Sequence, residues 1–121
     1  MELKGKVKAG FGVGAKYIEK MRKSFYKKYG IDLFPGTLNI ELDKQYILKS
    51  KELIKSNEYG GNQDVLIKRI KIFNEEAFIV RPELNNKIGG EQSASILEIV
   101  SNINFRKEYN LKDGDKCIII I

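Results

Sequence analysis

Apolar and polar residues alternate over residues 3–9 and again over 36–42, the period-two pattern of strands with one buried face. Between them Ile18, Met21 and Phe25 recur at helical spacing, with Tyr29 in phase one turn later. That stripe predicts the main helix over 15–29, and Gly30 is its stop signal. Residues 46–48 read as a short third strand, 49–54 as a helical turn, and 56–63 as a loop around Gly60-Gly61. Residues 65–73 and 77–81 read as a hairpin turning around Asn74-Glu75, ended by Pro82, which lacks a backbone donor. The polar, glycine-containing stretch 83–93 reads as an exposed loop. A strand over 95–100, a short helix over 104–109, a tight turn at Asp113-Gly114 and a last strand over 116–121 complete the chain. Many short strands with one substantial helix predict a mainly β fold, a small β-barrel with helical insertions. The 121 residues suit a single domain, 1–121, with no internal repeat or linker.

Composition narrows the chemistry. The chain contains no histidine, which excludes histidine triads and histidine-ligated metals. Cys117 is the only cysteine and lies in the last apolar strand, so it reads as a core thiol in a cytoplasmic protein. No apolar run is long enough for a membrane helix, and no signal-peptide pattern opens the chain. The remaining groups are carboxylates, amides, hydroxyls, lysines, arginines and backbone. Phosphoryl transfer suits that inventory, because it depends on positioning and electrostatics. The net charge of +6 favours anionic partners, and much of the excess lies on the 16–28 helix segment. Those lysines read first as a solvated helix face, and second as a positive rim for a nucleotide or nucleic acid.

Three segments carry candidate chemistry. In Pro35-Gly36-Thr37-Leu38-Asn39-Ile40-Glu41-Leu42, Thr37 is the only threonine of the protein. Thr37 and Asn39 are two residues apart, so their oxygens share one strand face while Leu38 and Ile40 point the other way. Two neutral oxygens can hold a hard cation such as Mg²⁺ when phosphates and water supply the other ligands. Read alone, the segment is an ordinary strand start after a Pro-Gly turn. The second segment, Gly10-Phe11-Gly12-Val13-Gly14-Ala15, joins strand to helix. Its glycines let backbone N–H groups approach an anion, and the helix start adds a favourable dipole. It matches neither the Rossmann nor the Walker spacing, and its plain reading is a tight turn. The third runs from Ile96-Leu97-Glu98-Ile99-Val100 through Phe105-Arg106-Lys107-Glu108-Tyr109 to Leu111-Lys112-Asp113-Gly114-Asp115. A carboxylate inside that apolar run faces solvent or has a purpose. Arg81, at a strand end, is either a phosphate clamp or a surface salt-bridge partner.

Together these segments resemble the archaeal-type, CTP-dependent riboflavin kinases, in motif order and spacing over nearly the whole chain. The resemblance implies a six-stranded cradle-loop barrel with a main helix and a short C-terminal helix. It implies that Phe11, Gly12, Val13, Gly14, Ala15 and Lys16 wrap the nucleotide, with Ile103, Asn104, Phe105 and Arg106 as a second nucleotide segment. It places Thr37 and Asn39 on Mg²⁺, and Glu98 against the ribityl chain of the acceptor, as orienting group or base. The implied reaction is CTP + riboflavin → CDP + FMN; a monomer is the expectation, though the sequence itself does not fix the oligomeric state. The chain departs from the family in the loop before the acidic strand, where the usual threonine and histidine are missing. Ser93 or Ser95 would have to stand in for the threonine. Riboflavin is the first choice of acceptor, and another small alcohol is the alternative.

Two other classes compete. A non-catalytic flavin or nucleotide sensor would keep the same fold. A swapped-hairpin DNA-binding barrel shares the Leu-Lys-Asp-Gly-Asp turn, yet has no need for the glycine loop or for Thr37 and Asn39. The aromatics of the basic helix also sit at core spacing rather than as a base-stacking platform, so no specific nucleic-acid partner is expected.

Overall fold

The period-two segments become strands that pair antiparallel around a closed ring. A computed structural model of the chain describes residues 1–10, 14–83 and 94–121, with the backbone alone for 14–17. Its elements are β1 (Glu2–Lys8), α1 (Gly14–Tyr29), β2 (Leu38–Leu42), β3 (Glu52–Ile54), α2 (Ser56–Tyr59), β4 (Val65–Ile72), β5 (Glu75–Pro82), β6 (Ile96–Val100), α3 (Phe105–Glu108) and β7 (Lys116–Ile120). The strand order is β4-β5-β6-β2-β1-β7, and β7 returns to β4 through Lys71↔Ile120 and Ile72↔Ile119. That return closes a six-stranded antiparallel barrel, with β3 appended to the outer edge of β4.

Alternation along each strand sorts side chains to two faces. Val7, Ile40, Ile70, Ile79, Leu97, Ile99 and Ile119 fill the barrel interior. On the outside, Val65, Ile67, Phe78, Val80 and Val100 receive the apolar stripe of α1, Ile18, Met21 and Phe25, all buried. β5 is thus covered on both faces, and Ala77 to Arg81 is buried without a break. Continuous apolar sequence such as Ala-Phe-Ile-Val is what a doubly covered strand requires. Phe25 meets Phe78 edge-on with ring centroids 5.3 Å apart, which fixes the helix over β5. α1 ends as expected at Gly30, whose φ of 69° suits a glycine cap and whose N–H donates to the Tyr26 carbonyl. Among the described residues no helix is long and apolar enough to cross a membrane.

Several local expectations are corrected. Residues 46–48 form no strand. Residues 49–54 hold no helical turn; their end is β3, paired with β4 through Leu53↔Leu66. The 56–63 loop begins with the short helix α2. The hairpin turns on Phe73 and Asn74, not Asn74-Glu75, and both have positive φ, 52° and 64°. Such a two-residue turn matches the twist of the flanking strands. Phe73 tolerates this backbone because its ring stacks on Tyr109 at 4.7 Å.

Candidate functional site

β2 is the middle strand of the site. Its register sets Asn39 opposite Lys8 of β1 on one side and opposite Glu98 of β6 on the other. Glu98 in turn lies opposite Val80 of β5. Lys8, Asn39, Glu98 and Val80 therefore form one row across four strands, on the outer face of the barrel. Cross-strand neighbours have Cβ atoms about 4.5–5.5 Å apart, so the Asn39 amide and the Glu98 carboxylate are within reach of one ligand.

Asn39 is 8% exposed, yet among the described residues its amide has no hydrogen-bond partner. The Glu98 carboxylate, half-buried, has none either. Buried polar groups are paired in the great majority of cases, and this adjacent pair, without hydrogen bonds among the described residues, offers its bonding capacity to a ligand. Burial pushes the Glu98 carboxyl above the usual carboxylate range, and the Arg81 charge opposes that shift. Gly10 closes the site from the loop side. A Cβ at that position would stand 2.5 Å from Asn39 Nδ2, so a larger residue there would have to turn the amide aside. The first helical turn of α1 follows at Gly14.

Thr37 immediately precedes β2 and is half-buried. It lines a cavity of about 270 Å³ together with Phe34, Gly36, Ile103, Asn104 and Arg106. The Phe34 N–H donates to the Ser101 carbonyl at 2.8 Å, which brings the start of β2 to the end of β6. Two segments about seventy residues apart in sequence are joined here by β2–β6 pairing. Within this cavity wall the side chains divide their work. Asn104 caps α3, accepting from the Lys107 N–H at 3.3 Å. Phe105 is 4% exposed and packs in the barrel core, so toward a ligand it has only backbone to offer. Arg106 pairs with Asp113 at 2.7 Å and donates to the Lys8 carbonyl at 3.3 Å, tying the turn before β7 to the end of β1.

The donor set fits a hard cation. Thr37 and Asn39 offer neutral oxygens, one of them buried and unsatisfied among described partners. No cluster of three or more metal-binding His, Cys, Asp or Glu occurs among the described residues. A Mg²⁺ held here would take most of its ligands from phosphate and water, the usual state of nucleotide-bound Mg²⁺.

Other predicted positions fall differently. Phe11, Gly12, Val13 and Ser93 lie outside the described residues, as do the side chains of Ala15 and Lys16. Ser95 is half-buried, and its carbonyl accepts from the Leu42 N–H at 2.7 Å. Arg81 is no surface salt-bridge partner. It is 3% exposed, and its guanidinium donates to the carbonyls of Tyr46, of Ala94 at 3.0 Å and of Ile96 at 3.2 Å. It braces the end of the barrel rather than clamping a phosphate. A larger cavity, about 790 Å³, opens beside β1 and β7 and is lined by Lys4, Lys6, Lys71, Lys116, Ile118 and Ile120. It contains none of the predicted site residues, whereas the smaller cavity holds five of its motif positions.

Sequence reasoning missed Lys8, Gly10 as the residue packed on Asn39, and the Phe34 and Ser101 contributions. The signal for Lys8 is its place at the end of β1, two residues before the glycine loop, but its pairing with Asn39 is visible only in the register.

The family model CTP-dep_RFKase, described as domain of unknown function DUF120, matches residues 7–121. A protein named riboflavin kinase from Staphylothermus marinus is 38% identical, covering 100% of this chain and 92% of that protein. One of the same name from Methanothermobacter thermautotrophicus is 37% identical over 90% of this chain and 89% of its own length. A third, from Archaeoglobus fulgidus, is 32% identical over 95% of this chain, which spans about half of that longer protein, 52%.

Proposed function

The chain belongs to the CTP-dep_RFKase family, DUF120, and on that premise we propose that it is a riboflavin kinase using CTP and Mg²⁺. The observation that carries the reading is the adjacent pair Asn39 and Glu98, without hydrogen bonds among the described residues, on the outer row beneath Gly10. A nucleic-acid barrel has no need of the glycine loop or of Thr37 and Asn39, and an activity assay separates the kinase from a non-catalytic sensor.

In this reading Thr37 and Asn39 would hold Mg²⁺, which would offset the negative charge of the transferring group. The glycine loop and the start of α1 hold the nucleotide phosphates. The wall from Ile103 to Arg106 meets the nucleobase. Glu98 faces the terminal ribityl hydroxyl. The hydroxyl oxygen bonds to the γ-phosphorus of CTP as the bond from that phosphorus to the β-bridging oxygen breaks. CDP leaves with the bonding pair, and the hydroxyl proton passes to Glu98 and then to solvent. Burial raises the proton affinity of Glu98, which makes it a stronger base. At the flavin end of the acceptor, Ser93 or Ser95 would take the place of the family's usual threonine.

Incubation with Mg²⁺, riboflavin and each of the four nucleoside triphosphates tests the proposal. FMN formed with CTP is the expected product. FMN from ATP alone would move the donor, and no FMN with any nucleotide would remove riboflavin as acceptor.

A further inference from the structure

No described cation stands at the proposed metal and acceptor positions themselves. A nucleoside triphosphate brings roughly four negative charges, of which one Mg²⁺ cancels two. Thr37 and Asn39 are neutral, and Glu98 is acidic. The two described arginines nearby are engaged: Arg81 with carbonyls at the barrel end, Arg106 with Asp113.

Lys8 is the remaining charge on the row. It lies directly opposite Asn39, and its ammonium is bonded to Glu41 at 2.9 Å with about half the side chain in solvent. Glu41 and Thr37 stand two residues to either side of Asn39. Diagonal neighbours of that kind are about 7–8 Å away, within reach of a long side chain. The same ammonium can therefore lean back to Glu41 or forward over Asn39 and Thr37. Leaving Glu41 costs little. The pair is exposed, where such bridges contribute at most about 1 kcal/mol. Glu41 also keeps Lys6 directly opposite it. The Lys8 backbone is meanwhile held by Arg106 through its carbonyl, so the side chain swings from a fixed base.

Building on the kinase reading, we infer that Lys8 is a phosphate-binding residue, parked on Glu41 in the empty site and transferred to the nucleotide phosphates when they arrive. Its target is the phosphate chain rather than the base or the acceptor. A charge-assisted bond of this kind is worth enough for about a tenfold change in affinity.

Calorimetric titration of the parent, Lys8→Met, Lys8→Arg and Glu41→Gln proteins with Mg·CTP and Mg·CDP tests this. The expected result is about tenfold weaker Mg·CTP binding in Lys8→Met, a smaller loss with Mg·CDP, and near-parent binding in Lys8→Arg. Glu41→Gln breaks the same ion pair but keeps the cation, so it should bind Mg·CTP as well as the parent or better. Lys8→Met binding like the parent overturns the inference and leaves the kinase reading intact. Equal weakening by Lys8→Met and Glu41→Gln also overturns it, because the pair would then be only a structural brace. A parent that binds no nucleotide overturns both readings.

Discussion

Arg81 and Glu98 stand on neighbouring strands of one barrel wall and face opposite ways. Arg81 projects inward at the barrel end, almost fully buried, with three backbone carbonyls on its guanidinium. Glu98 projects outward beside Asn39, and among the described residues neither side chain has a hydrogen-bond partner, although the Arg81 charge is felt at Glu98. Both are ionisable groups taken from water, and burial acts against the charge of each. Among the described residues, hydrogen bonds hold the guanidinium and none holds the carboxylate. Satisfied burial belongs to architecture, while unsatisfied burial is kept ready for something that binds.

The largest effect should come from the satisfied side. Arg81→Met leaves three carbonyls without their donor and should cost about 3 kcal/mol of stability, read by chemical denaturation. A loss below about 0.5 kcal/mol would mean that Arg81 is as dispensable as a surface group, and the contrast would fail.

Glu98→Gln should do the opposite. Turnover should fall roughly 10²-fold, near 2.7 kcal/mol in barrier, and the rising limb of the pH–rate profile should vanish. In the parent that limb should lie above the usual carboxylate range. Stability carries its own sign. Burial raises the folded-state value of Glu98, so the folded protein favours the protonated acid. The contribution is fully present below the ordinary glutamate value and is lost as pH rises through the raised one. The Gln variant should therefore melt above the parent at pH 8 and close to it at pH 4. Melting below the parent at pH 8 would show that Glu98 has a stabilising partner after all.

Thr37→Ala should lower turnover at least tenfold, about 1.4 kcal/mol, without unfolding the protein. The deficit should be greatest at limiting Mg²⁺, and full activity there would remove Thr37 from the metal. Gly10→Ala is the gentlest probe. The added methyl must turn the Asn39 amide aside, since it would otherwise stand 2.5 Å from Nδ2. Nucleotide binding should weaken a few-fold with melting unchanged, and equal affinity would show that the orientation of Asn39 does not matter.

The strand and helix that build the site were legible because their patterns are strong and local. Alternation in Thr37-Leu38-Asn39-Ile40 placed Leu38 and Ile40 inside and Asn39 outside, and the helical stripe of α1 was read one residue from its start. β3 was misread because three residues with one buried side chain have no periodicity of their own; pairing with β4 makes them a strand. Arg81 was misread from its chemistry, although Ala77 and Ile79 face the barrel interior and alternation carries Arg81 to the same side. The Asn39–Glu98 pairing was beyond sequence reading, because register between strands so far apart depends on the order of strands around the barrel.

Closure of the barrel has a kinetic consequence. β7 completes the ring by pairing with β1 along five positions and with β4 along two. The first and last residues are joined as well, with Ile121 N–H donating to the Met1 carbonyl at 2.9 Å. The contacts of β7 with β1 have the widest sequence separation in the barrel, so they form only after the largest loss of chain entropy. The hairpin of β4 and β5, turning on Phe73 and Asn74, needs no such wait. Folding should start there and end with β7. Trimming a side chain on the inner face of β7, such as Ile119, should then act mainly on the unfolding rate. The life of the folded barrel is in the keeping of its last-formed seam.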